Sequence, residues 1–106
     1  MTAAEFDAIL SARLAKAREV LSAKAGEYAT DADRLHNFKR AAREFPGPGE
    51  TQPADALVGM MRKHWVSIAD IVERKCCGNP VPAAVIDEKI GDAINYLILL
   101  EAVLRE

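Results

Sequence analysis

The chain has 106 residues, of which 50% are hydrophobic and 28% charged, and its formal net charge at pH 7 is −2. Those values describe one globular domain, residues 1–106, long enough to bury a single core, and they exclude a disordered chain. The slight negative balance gives no general attraction to nucleic acid or to an anionic membrane surface, so neither is expected as a partner. No apolar run approaches the roughly 18 residues that a membrane span requires. The opening Met1-Thr2-Ala3-Ala4-Glu5 carries no basic region ahead of an apolar block, so no secretory signal is expected. The only cysteines, Cys76 and Cys77, are adjacent and poorly placed to bridge, which points to a reducing, cytoplasmic setting. Aromatics are few while Ala and Leu abound, a mix that favours helices.

In chain order, Thr2 and Glu5 have the spacing of a capping box and open a first helix. Phe6, Leu10, Leu14, Ala17, Leu21 and Tyr28 recur at helical spacing, with Ile9 and Val20 widening the stripe. Arg13, Lys16, Arg18 and Glu19 fill the other side. Gly26 predicts an end near residues 28–30. Asp31 and Asp33 are both suited to cap a second helix with an inner stripe of Leu35, Phe38, Ala42 and Phe45. His36, Asn37, Lys39, Arg40 and Arg43 lie outside that stripe. Pro46-Gly47-Pro48-Gly49 stops this helix. Pro53 suits the first turn of a third helix, whose expected core stripe is Leu57, Met61, Trp65, Ile68 and Val72. Gly78-Asn79-Pro80 ends it near Cys76-Cys77.

Pro82 opens the fourth helix, on which Ile86, Ile90, Ala93, Leu97, Leu100 and Leu104 share one side. Glu88, Asp92 and Asn95 stand at i, i+4 and i+7 on the opposite side, a stripe that continues into Leu99, Ala102 and Val103. A helix apolar nearly all round belongs in a core or an oligomer interface. Strand alternation, a Gly-rich phosphate loop and internal repeats are all missing. Four helices with short connections predict an all-α four-helix bundle, oligomeric through its C-terminal helix.

Carboxylates and an amide at the mouth of a buried stripe require a cation, a metal or a donor. Glu88, Asp92 and Asn95, completed by a carboxylate from a facing helix, would suit Mg²⁺ or Mn²⁺. The competing explanation is the helix macrodipole, which favours acids in the first turns whatever the function; Asn95 lies deeper, where Asn has poor propensity. Lys63, Ser67 and Asp70, also at i, i+4 and i+7, offer a phosphate-binding cation, a hydroxyl and a further carboxylate, or simply form a solvated face. His64 reads as an edge histidine, since no second histidine stands at ligand spacing and zinc is not indicated. His36, Asn37, Lys39, Arg40 and Arg43 could meet a base and phosphates, or be another wet face. The cysteines lack the His-Asn context of a thiol nucleophile.

Lys24-x-x-Glu27-Tyr28, Asn37-Phe38, Lys63-His64-x-x-Ser67-x-x-Asp70 and Glu88-x-x-Gly91-Asp92-x-x-Asn95-Tyr96 together resemble a family of small bacteriophage and prophage proteins, the nucleotide-modification-associated domain family. The last of these segments is also similar to the acidic helix of MazG-like all-α nucleoside triphosphate pyrophosphatases. In those enzymes, Glu-x-x-Glu and Glu-x-x-Asp on two helices bind Mg²⁺, and water cleaves a nucleotide between its α and β phosphates. This chain departs from that pattern. Lys89 stands three before Asp92, with Glu88 one position further back, and Glu-x-x-Glu is replaced by Lys63 and Asp70.

The resemblance implies a Mg²⁺-dependent (or Mn²⁺-dependent) protein that binds or hydrolyses a small-molecule nucleotide in the cytoplasm of a bacterial or phage-infected cell, as a homodimer or higher homo-oligomer. Glu88 and Asp92 would be its catalytic metal ligands, with Asp70 or Glu27 completing the set. Lys63 would pair with phosphate, while Asn95, Asn37 and His36 would meet the base or sugar. The alternative is a helical adaptor that kept the scaffold and lost the metal site.

Overall fold

A computed structural model describes residues 1–23 and 32–106. Those residues form helices and no strand: α1 (Ala3–Ala23), α2 (His36–Glu44), α3 (Pro53–Cys76) and α4 (Ala83–Arg105). None is long and apolar enough to cross a membrane. The expected end of the first helix, with Glu27, Tyr28 and Asp31, lies outside the described residues.

The helix boundaries follow local chemistry. At the start of α1, Thr2 N–H donates to the Glu5 carboxylate at 2.6 Å and Glu5 N–H to the Thr2 hydroxyl at 3.1 Å, the reciprocal pair that the sequence predicts. Ahead of α3, Gln52 N–H donates to Asp55 Oδ2 at 3.2 Å, and Pro53 takes the first turn, where a missing N–H costs nothing. Gly78 closes α3 at φ +80°, with Asn79 N–H on the Arg74 carbonyl at 2.9 Å; that backbone conformation strains any residue with a Cβ.

Packing is pairwise. α3 lies against α4, α2 against α3, and α1 against α4. Leu35, Phe38, Leu57 and Met61 form the core, with Tyr96, Leu99, Leu100 and Val103 packed on it. The contact stripe of α3 therefore runs Leu57, Met61, His64, Ile68, Ile71, in steps of four and three. That 3.5-residue repeat keeps facing a partner helix, whereas the expected path through Trp65 and Val72 drifts off it. Trp65 is 48% exposed and Val72 is also exposed. On α4 the expected stripe holds in part: Ala93 is buried and Leu100 packs on the core, but Tyr96, Leu99 and Val103 join it while Ile86, Leu97 and Leu104 face outward.

Two further expectations are corrected. Phe45 is 76% exposed because the helix has already ended there: its φ of −134° leaves the helical region, as Pro46 requires of the residue before it. In α1, Phe6, Ile9, Leu10 and Leu14 are exposed, and Ala17 is the one residue of this helix that is fully buried. α1 meets α4 through the later members of its expected stripe, Ala17 and Val20, together with Arg13 and Lys16, while the earlier members Phe6, Leu10 and Leu14 are left uncovered.

Candidate functional site

Arg13 Nη2 donates to Asp87 Oδ1 at 2.6 Å, and Ala17 and Leu21 of α1 lie near Gly91 and Ile98 of α4. The two helices therefore run parallel, with residue i of α1 beside residues i+74 to i+77 of α4. Gly91 makes that approach possible. A Cβ at this position would stand 2.6 Å from Arg13 Nη1, so the bare backbone of α4 forms the floor on which the guanidinium rests. Only the mobile end of Arg13 would have to move to admit a methyl group.

Between the helices lies a pocket of about 300 Å³, lined by Arg13, Lys16, Ala17, Val20, Asp87, Glu88, Gly91, Asp92 and Asn95. The acidic stripe read from the sequence, Glu88, Asp92 and Asn95, thus shares one cavity. The sequence reading missed its basic wall: Arg13 and Lys16 looked like a solvated face, because the stripe of strongest hydrophobicity lies elsewhere on α1. Three carboxylates face two cations in the lining. Arg13 engages Asp87, and Lys16 lines the same pocket with its Nζ 4.0 Å from Glu19 of its own helix, so the lining carries one more carboxylate than cations.

Asp92 is the residue where three helices converge. It lines the α1–α4 pocket, and its Oδ2 also stands 3.8 Å from His64 Nδ1 on α3. The His64 ring lies 4.7 Å from the Tyr96 ring at an angle of 48°. Burial pushes the His64 pKa below its ordinary value; the Asp92 charge works against that shift, while Lys63 and Lys89 add to it. His64 Nε2 and Asn95 Oδ1 are both buried without a hydrogen-bond partner among the described residues. Such groups are costly and normally have a partner in the working molecule. Glu88, by contrast, sits at the exposed edge of the pocket, 3.4 Å from Lys89 Nζ.

The other expected residues are dispersed. Among the described residues no three of His, Cys, Asp and Glu are close enough to hold a metal ion together, so Asp70 does not join Glu88 and Asp92. Asp70 and Lys63 are exposed on α3. The Ser67 hydroxyl donates to the Lys63 carbonyl at 2.9 Å and serves its own helix. His36 and Asn37 lie on α2, which packs against α3, and they do not line the pocket. Glu27 is outside the described residues. A wider cleft of about 480 Å³ flanks the other side of α1; its charged lining is Arg18 and Arg34, with no carboxylate for a cation.

No family model, curated protein or solved structure matches this chain.

Proposed function

We propose that the chain is a nucleotide-binding protein of the Mg²⁺-dependent pyrophosphohydrolase type, with a MazG-like bundle and the α1–α4 pocket as its site. The single observation that carries this reading is the composition of that pocket: Glu88, Asp92, Asn95, Arg13 and Lys16 on one cavity of about 300 Å³. Hard oxygen donors beside cations suit a ligand that brings phosphates and a divalent ion together. Mg²⁺ typically binds through one or two carboxylates plus substrate phosphates and water, so a pocket without a third convergent acid fits that mode. Glu88 and Asp92 would hold the ion, and Mn²⁺ could replace it. When bound, the ion neutralises phosphate charge and acidifies a water molecule.

The chain's own groups would position the ligand. Lys16 and Arg13 face the phosphates, and Arg13 is held in place by Asp87. The buried Oδ1 of Asn95 accepts a hydrogen bond from sugar or base. Lys63, Asn37 and His36 lie away from the cavity and have no part in this version of the site. The protein would work in the cytoplasm of a bacterial or phage-infected cell as a homo-oligomer, the outward Leu97 and Leu104 of α4 offering an apolar contact.

The test is a panel of ribo- and deoxyribonucleoside triphosphates with Mg²⁺ or Mn²⁺, read as pyrophosphate release. Turnover that falls at least a hundredfold in Asp92→Ala, with helix content retained, supports the enzyme. The second reading, a non-catalytic helical adaptor, is favoured by the exposed Phe6, Trp65 and Leu104. It predicts neither turnover nor thermal stabilisation by nucleotide and metal, since a ligand that prefers the native state must raise its stability.

A further inference from the structure

Every residue from Met1 to Ala12 is exposed, although most of this segment is helical. The parallel register explains why. With that register, residues 6–9 stand beside Ala83, where α4 begins, and the turn before them extends past it with nothing opposite among the described residues. At about 1.5 Å per residue the overhang is roughly 5–9 Å long. Phe6 lies on this overhang and Ile9, Leu10 and Leu14 on the turns that follow it, each between 47% and 60% exposed, and the stretch from Phe6 to Leu10 makes an apolar arm. A helical segment this short has little stability of its own in water and needs a surface on which to pack.

An apolar groove of about 250 Å³ lies where the end of α3 meets the start of α4, lined by Ile71, Val72, Lys75, Cys76, Val81, Ile86 and Ile90. None of its lining comes from α1, so within one chain the arm and the groove do not meet. The whole molecule shows the same deficit. Its accessible surface is 7393 Å², against about 5,800 Å² expected for a compact monomer of 11.6 kDa. Its radius of gyration is 15.9 Å, against about 13 Å. The excess, roughly 1,500 Å² per chain, exceeds the roughly 800 Å² that each partner contributes to a standard stable interface.

We infer that the arm of one chain, through Phe6, Ile9 and Leu10, docks in the Ile71–Ile86–Ile90 groove of a second copy, and that the second copy returns the same contact. A two-fold pairing of this kind places both surfaces of each chain in use at once. Charge agrees with the pairing: the arm's charged side chains before Arg13 are Glu5 and Asp7, and the only charged side chain lining the groove is Lys75. The contact is independent of the nucleotide reading, and of the outward residues of α4 it uses Ile86 but neither Leu97 nor Leu104. It also bears on the pocket, because the helix that docks carries Arg13 and Lys16 one turn further on. Association would steady the basic wall of the site.

Sedimentation velocity of the full chain, from micromolar to hundreds of micromolar, tests this. The wild type is expected to associate, and Phe6→Glu/Leu10→Glu to weaken association at least tenfold with helix content unchanged by circular dichroism. A wild type that stays monomeric throughout, or a double variant that associates as tightly as the wild type, overturns the inference. Hydrogen exchange on the unmodified protein keeps the test independent of variant folding. Amides of residues 6–12 and of Ile86 and Ile90 should slow at least tenfold at the high concentration; exchange there that does not change with concentration overturns it as well.

Discussion

Asp92 and His64 face each other across α3 and α4 at 3.8 Å, and the balance between them is set by burial more than by charge. Because the folded histidine has a pKa below that of the unfolded chain, the unfolded state binds its proton first as pH falls. This contribution to stability is thus complete above about pH 6.5 and declines as pH drops through the window between the unfolded and folded values. Urea denaturation at pH 7.5 and 5.5 checks it: wild-type stability should fall toward pH 5.5, and His64→Gln should fall less. The unpartnered Nε2 of His64 works in the same direction, since a proton placed there would lack an acceptor. Lys39 shows the opposite pattern. It is held charged by Asp33 and Glu106, so one half-buried side chain ties the turn before α2 to the end of α4.

Element by element, the molecule is a central α3–α4 pair to which α2 and α1 attach unequally. α2 has only nine residues, yet it buries Phe38 and Ala42 against α3 and is secured by its hydrophobic side. Phe38 within it and Phe45 just past its end therefore carry very different loads. Phe38→Ala should cost about 3–5 kcal/mol, the range for emptying a core site of this size, and Phe45→Ser should change stability by less than about 0.5 kcal/mol. Chemical denaturation of both variants separates them, and equal losses would mean that Phe45 returns to the core. α1 is held more lightly, by the Arg13–Asp87 pair, the contact of Ala17 and Val20, and the reach of Arg34 to the Leu21 carbonyl at 3.3 Å. A pair as exposed as this one contributes modestly. α1 is thus the element whose position a ligand or a partner can most readily stabilise.

At the scale of the whole molecule, a chain measuring 45 × 29 × 21 Å and carrying this much exposed apolar side chain is an open arrangement of helices. Its thermal midpoint should accordingly depend on protein concentration, rising by a few degrees for each tenfold increase, because association adds free energy to the native state alone. Calorimetry or circular-dichroism melts across two decades of concentration measure this directly. A midpoint independent of concentration would mark a monomer that tolerates its bare helix faces. The candidate pocket belongs to the same scale. Its walls come from the first and last helices of the chain, so whatever steadies α1 on α4 also shapes the cavity.

The sequence by itself determined the helices and most of the ends that are described, since capping pairs, prolines and Gly78 act over a few residues; the start of α2 differs, with Leu35 as N-cap and Asp33 accepting from the Leu35 N–H in the turn before it. It also placed Glu88, Asp92 and Asn95 on one face, because 3.6-residue periodicity is a local property. Which faces would meet was decided only by the tertiary structure. Trp65 and Val72 yielded to His64 and Ile71 because helix pairs follow a 3.5-residue seam, and Arg13 and Lys16 joined the acidic stripe because α1 docks by its small residue Ala17 over Gly91. Contacts of that kind depend on shape and distance between remote segments, which hydrophobic periodicity along a single helix does not encode.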